Sequence, residues 1–280
     1  MHERPSRPEV PRDTTVHRDL PYVSDGHPRQ VLDLYLPDGG ERMPLIVWIH
    51  GGAFRAGSKE SGVPLDYLDA GYAIASINYR LSQHARFPAQ IEDCKAAVRW
   101  LRAHAAQYGL DATRFAAWGP SAGGNLVAML GTTGHVTRFD VGEYLEASSG
   151  VHAVVDYFGP TDFLQMDAHR VPGGMVHDAP DSPESELVGG PIQVNADRVA
   201  AANPITYVGP DAPPFLIVHG ELDPLVPHHQ SELLVAALER AGVPVTFYTV
   251  EGAGHGGFTD PAEPELTRAF LAEHLKPQEA

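Results

Sequence analysis

One cysteine, Cys94, is all the chain has. No disulfide can form within it, and no thiolate-rich metal centre can be built. Long hydrophobic runs are missing too: none approaches the roughly eighteen residues that a membrane-spanning helix needs. Positive charge is scarce, with 20 Lys+Arg against 36 Asp+Glu, a formal net charge of −16 and a pI near 5.3. That balance argues against a nucleic-acid partner, which needs a clustered basic face. Fifteen histidines are present, yet no two stand four apart as a zinc-binding helix requires. Metal catalysis is therefore not expected. The opening residues, MHERPSRPEVPRDTTVHRDL, lack the apolar core of a secretory leader. Both a cytoplasmic protein and an exported one whose leader is absent from this sequence stay open.

What is present is a rhythm. Over 280 residues, 43% of them hydrophobic, short apolar runs alternate with helical patterns, the mark of a mainly parallel sheet with crossover helices. The strand candidates are VLDLYL from Val31, PLIVWIH ending at His50, AIASINY from Ala73 and RFAAWG ending at Gly119. VHAVVDYFG from Val151, PFLIVHG from Pro214 and VTFYTVEG from Val245 follow. Several are β-branched with little polar alternation, as strands buried on both faces should be. Helices are predicted over Ile91–Gln107, Ser121–Leu130, Pro227–Ala241 and Pro261–Leu275. In the first, Ile91, Cys94, Val98 and Leu101 recur at helical spacing, which makes Cys94 a core thiol.

A single domain over 1–280 is expected, with an N-terminal arm at 1–20 and an insertion at 160–204. The insertion is rich in Gly, Pro, Asp and Ser and reads either as a small cap over a site or as a disordered surface loop. Its Phe163, Leu164, Met166 and Met175 favour packing. Phe54, Phe163 and Met166 are taken as candidate substrate contacts.

The stretch FAAWGPSAGGNL places Ser121 between Gly119 and Gly123, after a strand and before a helix. A bare G-x-S-x-G is common, but in that context it is a nucleophile elbow. A serine hydroxyl needs a base, and the base needs a carboxylate to hold its tautomer. Downstream, HGELDPLVP puts Asp223 in a loop just past a strand, and VEGAGHGGF puts His255 just past the next. The order Ser, Asp, His is the one expected on such a sheet. Asp162 is a second-choice acid, and Glu221 and Asp211 are weaker. His219 is expected to shape a turn, while His152, inside a strand, and His177, in the insertion, are poorly placed. Backbone donors for an oxyanion should come from Ala122 and from the loop His50-Gly51-Gly52-Ala53-Phe54, with His50 propping the loop.

With HGGAF, GPSAGGN, HGELDPLV and GAGHGGF in order, the chain resembles the α/β-hydrolase superfamily, in particular esterases related to the hormone-sensitive-lipase group. INYRLSQHARFPAQIEDCKAAVRWLRAHAAQYGLDATRF, MLGTTG, DAPDSPESELVGGPI and ANPITYV make it similar to bifunctional acetyl-xylan and feruloyl esterases, over about Val31 to His274. The resemblance implies an α/β-hydrolase fold of about eight strands, with helices on both faces. It implies Ser121 as nucleophile, Asp223 as acid, His255 as base and oxyanion donors at Gly51, Gly52 and Ala122. No cofactor is implied. The partner it implies is a small or polymer-attached ester, such as acetyl or feruloyl groups on plant polysaccharide. Three positions depart from the pattern: Ala53 replaces a third glycine, Pro120 precedes the nucleophile, and Gly257 stands where relatives carry phenylalanine. Alternatives are a broad short-chain or aryl esterase acting on synthetic polyesters or lactones, amide hydrolysis on the same triad, and a non-catalytic ligand-binding protein of this fold.

Overall fold

A computed structural model describes residues 8–276. Eight strands form one sheet: β1 (Thr14–Pro21), β2 (Val31–Pro37), β3 (Met43–Ile49), β4 (Ala73–Ile77), β5 (Leu110–Pro120), β6 (Ala153–Tyr157), β7 (Phe215–Gly220) and β8 (Val245–Val250). Their order across the sheet is β1-β2-β4-β3-β5-β6-β7-β8. β1 and β2 pair antiparallel, as do β2 and β4, and every later pair is parallel. The helices are α1 (Ala89–Ala103), α2 (Ala122–Thr132), α3 (Met166–His169), α4 (Pro183–Val188), α5 (Ala196–Ala202), α6 (His229–Arg240) and α7 (Ala262–Leu275).

Strand periodicity divides the core in two. In β3, Leu45, Val47 and Ile49 face one side, with Ile91, Cys94 and Val98 of α1, Leu126 and Leu130 of α2 and Leu234 of α6. Ile46 and Trp48 face the other, with Leu65 and Leu68 of a 3₁₀ turn and Phe270, Leu271 and Leu275 of α7. All seven residues of β3 are buried. That is why the central strands read as unbroken apolar runs rather than alternating ones.

The chain leaves β3 for β4 on one side and returns to β5 on the other. Loops diverge at such a reversal, and the crevice at the carboxyl ends of the strands there is the usual ligand site of an open α/β sheet. The loop after β3 and the serine after β5 both lie on it.

One expectation needs correction, and the insertion is a packed segment rather than a disordered loop. Residues 14–20 of the supposed arm belong to an edge strand, β1, bulged between His17 and Leu20. Its TTVHRDLP sequence is only half-buried, so polar residues hid the pattern; residues 1–7 of the arm lie outside the described residues. Residues 160–204 hold α3, α4, α5 and several 3₁₀ turns. Phe163, Met166, Leu187, Ile192, Val199 and Ala202 are buried there in the main core. Asn125 of α2 donates to Pro160 O at 2.9 Å and to Ala202 O at 3.3 Å, pinning both ends of the insertion. Gln230 Oε1 accepts from the N–H groups of Thr161 (2.8 Å) and Asp162 (2.7 Å).

Candidate active site

Ser121 sits at the corner between β5 and α2 with φ +56° and ψ −121°, a left-handed conformation that costs a non-glycine residue on the order of 1–3 kcal/mol. The corner holds because its surroundings leave no other path. The Ser121 N–H donates to Tyr157 O at 2.8 Å. A Cβ on Gly119 would lie 2.5 Å from Ile49 O, and one on Gly123 only 2.1 Å from it. Glycine at both positions lets α2 start directly against the end of β3, which is the physical content of the motif.

Asp223 lies in the loop after β7, its side chain fully buried. Its Oδ1 accepts from the Leu225 and Val226 N–H groups at 2.8 and 2.9 Å. Its Oδ2 stands 2.6 Å from His255 Nδ1 and 3.2 Å from His219 Nε2. Burial alone would raise the carboxyl pKa. Hydrogen bonds from His219 and His255, the imidazole charge and the Val226 N–H outweigh it and hold Asp223 below the usual carboxylate range. The ionised acid accepts the proton on His255 Nδ1, which leaves Nε2 with its lone pair free to act as base.

His255 comes from the loop after β8. The two loops are laced together by Leu222 N–H to Ala253 O at 2.9 Å. A Cβ on Gly220 would meet Gly254 O at 2.1 Å. The Phe158 ring packs on the His255 ring with centroids 4.5 Å apart, and Phe258 meets Phe158 edge-on at 5.7 Å. Thus the wall beside the histidine is Phe158. The extra glycine, Gly257, displaces the aromatic of the loop by one residue without removing it. Among the described residues no side chain accepts a hydrogen bond from Ser121 Oγ. Ser121 and His255 instead contact consecutive residues, Ser121 through its N–H on Tyr157 O and His255 through the Phe158 ring. Bonds of this kind commonly tighten only around substrate.

The loop after β3 is braced from behind. Arg29 NH2 lies 3.1 Å from His50 Nε2, and His50 Nδ1 lies 2.7 Å from Gly51 O. A guanidinium can only donate, so His50 Nε2 accepts and Nδ1–H donates to the Gly51 carbonyl. Burial lowers the His50 pKa to about 3, so the ring stays neutral and this tautomer persists. His50 also stacks on Tyr79 at 4.5 Å, and Tyr79 OH donates to His50 O at 3.0 Å. The Gly51–Gly52 peptide is thereby fixed. A Cβ on Gly51 would stand 3.4 Å from Ser121 Cβ and 2.9 Å from Pro120 O, so the loop lies directly against Ser121. Among the described residues the N–H groups of Gly51, Gly52 and Ala122 have no acceptor within the chain. Ala53 and Phe54 both take positive φ, +54° and +58°. Ala53 therefore accepts a conformation that a third glycine would adopt without strain.

Other predicted residues fall elsewhere. Asp162 Oδ1 accepts from Leu164 N–H and from Asn203 Nδ2, its Oδ2 accepts from Gln165, and it has no contact with His255. Glu221 accepts from Gly252 N–H at 2.9 Å and shapes the histidine loop. His152 stands one residue before β6 and accepts from Phe115 N–H at 3.1 Å. His177 is buried between Glu184 and Leu225 O. Phe54, Phe163 and Met166 are 1%, 0% and 0% exposed. They are core residues with no surface to offer a substrate; their apolar character was readable in the sequence, but their inward direction was not. Three neighbours of the site carry little signal in the sequence. His219, four residues before Asp223, reads as a turn residue, yet it touches the Asp223 carboxylate. Arg29 carries no motif, and Phe158 looked like a strand end.

The sheet order with its antiparallel start, the strained serine at the reversal and the acid and histidine after β7 and β8 make this an α/β-hydrolase fold. The chain belongs to the BD-FAE family, which matches residues 32–238. It is similar to a truncated form of a carbohydrate esterase from gut microbiota, with a TM-score of 0.86 and 35% identity, over 96% of this chain and 99% of that one. A bifunctional GH43-CE protein of Bacteroides eggerthii superposes with a TM-score of 0.84 and 37% identity, over 92% of this chain and 38% of that one. Esterase LipQ of Mycobacterium tuberculosis is 32% identical over 247 residues, which is 86% of this chain and 56% of that protein. The chain spans about half the length of such curated relatives, between 45% and 60%. No helix among the described residues is long and apolar enough to cross a membrane.

Proposed function

We propose that this chain is a serine carboxylesterase working through Ser121, His255 and Asp223. The observation that carries the reading is the 2.6 Å contact between Asp223 Oδ2 and His255 Nδ1, on the same sheet edge as the strained serine. His255 Nε2 takes the Ser121 Oγ proton as that oxygen attacks the ester carbonyl. Asp223 orients the ring and stabilises the imidazolium. The tetrahedral oxyanion takes hydrogen bonds from the Gly51, Gly52 and Ala122 N–H groups, Ala122 adding the positive end of α2. The imidazolium protonates the departing alcohol. Water, deprotonated by the same histidine, then cleaves the acyl-serine ester and releases the carboxylic acid.

Acetyl and feruloyl esters on plant polysaccharide are the proposed substrates. Two features support a polymer-attached ester. Gly52 is exposed and Ser121 only half-buried, so the site is reached from solvent, and the similar solved structures include a carbohydrate esterase. For the acyl group, Val176, Leu222 and Leu225 are apolar yet 47%, 55% and 44% exposed. Met175 N–H to Pro224 O, at 2.7 Å, joins their segments beside the acid loop.

The test compares p-nitrophenyl acetate, p-nitrophenyl octanoate, methyl ferulate and acetylated xylan, with Ser121→Ala as control. Cleavage of the acetate, ferulate and xylan esters, lost in the variant, is the expected result. Cleavage of activated aryl esters alone would reduce the reading to a general esterase, and a fully active Ser121→Ala would refute the mechanism.

A further inference from the structure

On the flank of the molecule, a cavity of about 480 Å³ opens between the start of α1, the turn at 137–139 and helices α4 and α5. No triad or oxyanion residue lines it. Its apolar part includes Phe87, Phe139 and Val188, the two rings meeting edge-on with centroids 5.9 Å apart. Around it stand Arg86, Arg138 and Arg198, and no aspartate or glutamate contributes to the lining. In a chain of net charge −16, three exposed guanidiniums stand together here with no carboxylate among them. None pairs with a carboxylate of the described residues within ion-pair distance.

The arginines are held in place by contacts that leave their charge unneutralised. Arg86 packs on Gly189, where an added Cβ would lie 2.3 Å from Arg86 Cδ. Arg198 NH1 donates to Gly189 O at 3.4 Å. Arg138 stacks over Phe139 at 4.7 Å and over Tyr207 at 5.2 Å, and donates to the Tyr207 hydroxyl. A guanidinium fork matches a carboxylate in two parallel hydrogen bonds, and a cavity of this size suits a small molecule. The aromatic floor favours a flat ring.

We propose that this cavity is a second binding site, distinct from the catalytic one, for an aromatic monocarboxylate. The ring lies against Phe87, which the buried Phe139 backs edge-on, and the carboxylate meets Arg86, Arg138 and Arg198. The site does not depend on the serine reading, because its test measures binding without turnover.

Sodium cinnamate is titrated calorimetrically into the full chain and into the Arg86→Gln/Arg198→Gln double variant. Sodium acetate and inorganic phosphate serve as comparison probes. Saturable cinnamate binding is expected, weakened at least tenfold in the variant, with both other anions at least tenfold weaker than cinnamate. Hydrolysis of p-nitrophenyl acetate by the variant should match the parent. A measurement on the unaltered chain guards against a misfolded variant: cinnamate should protect Arg86, Arg138 and Arg198 from phenylglyoxal, read by peptide mass spectrometry. Absence of saturable binding, equal affinity in a folded variant, phosphate binding as tight as cinnamate, or no protection of these three arginines would each overturn the proposal.

Discussion

His219 Nε2 stands 3.2 Å from Asp223 Oδ2, the same oxygen that holds His255 Nδ1 at 2.6 Å. His219 Nε2 also lies 2.9 Å from Val226 O, and its Nδ1 lies 2.7 Å from Ser231 Oγ. A carbonyl can only accept, so Nε2 carries the proton and shares it between Val226 O and the acid, while the Ser231 hydroxyl donates to Nδ1. Asp223, the proposed acid, is thus anchored by an imidazole on each side.

His219 acts through Asp223, so His219→Asn should lower kcat by about tenfold, the worth of one charge-assisted hydrogen bond, with KM nearly unchanged. Asp223→Asn should cost about ten-thousand-fold while leaving the fold intact. Adding His219→Asn to Asp223→Asn should then cost little more, since two residues acting through one interaction are not additive. Independent losses in this double-mutant cycle would show that His219 merely supports the core.

Arg29 fixes the tautomer of His50 and with it the peptide that carries the Gly52 N–H. Arg29→Met should lower kcat on p-nitrophenyl acetate by roughly ten- to a hundred-fold, a fraction of the loss seen when an oxyanion donor is removed outright. KM should change little. A variant with raised KM and normal kcat would place Arg29 in substrate binding instead.

Ala53 at φ +54° carries strain that glycine does not. Ala53→Gly should retain activity and change stability by no more than about 1 kcal/mol in either direction, relieved strain opposing the entropy of the freer chain. Thermal melting and turnover check both halves.

Asp156 is fully buried beside Gly124 and accepts from Gly159 N–H at 2.9 Å. Burial raises its pKa from 3.8 to about 7, against the smaller pull of that hydrogen bond. Between those values the folded state keeps a proton that the unfolded chain has released. This stabilising contribution is complete below pH 3.8 and is lost as pH rises through about 7. Asp156→Asn removes the dependence. Its advantage in urea midpoint over the parent should be small near pH 4, grow towards neutrality and level off above, at a few kcal/mol at most. A difference independent of pH would contradict the assignment.

The parallel strands were legible because burial on both faces makes their sequences nearly unbroken apolar runs. β1 was not, because an edge strand facing water carries Thr15, His17 and Asp19 in the pattern of a polar arm. The pairing of Asp223 with His255 was legible through chain order and strand ends. The braces were not: Arg29 lies 21 residues from His50 in a loop without a motif, and only the folded chain brings them together. The insertion was misread where direction mattered, since Phe163 and Met166 look alike whether they face a substrate or the core.

The most direct measurement of the central claim is labelling with an active-site fluorophosphonate, followed by peptide mapping. The account predicts one adduct per chain on Ser121, strongly slowed by His255→Ala and Asp223→Asn. No adduct, or an adduct on another residue at the same rate in those variants, would contradict it.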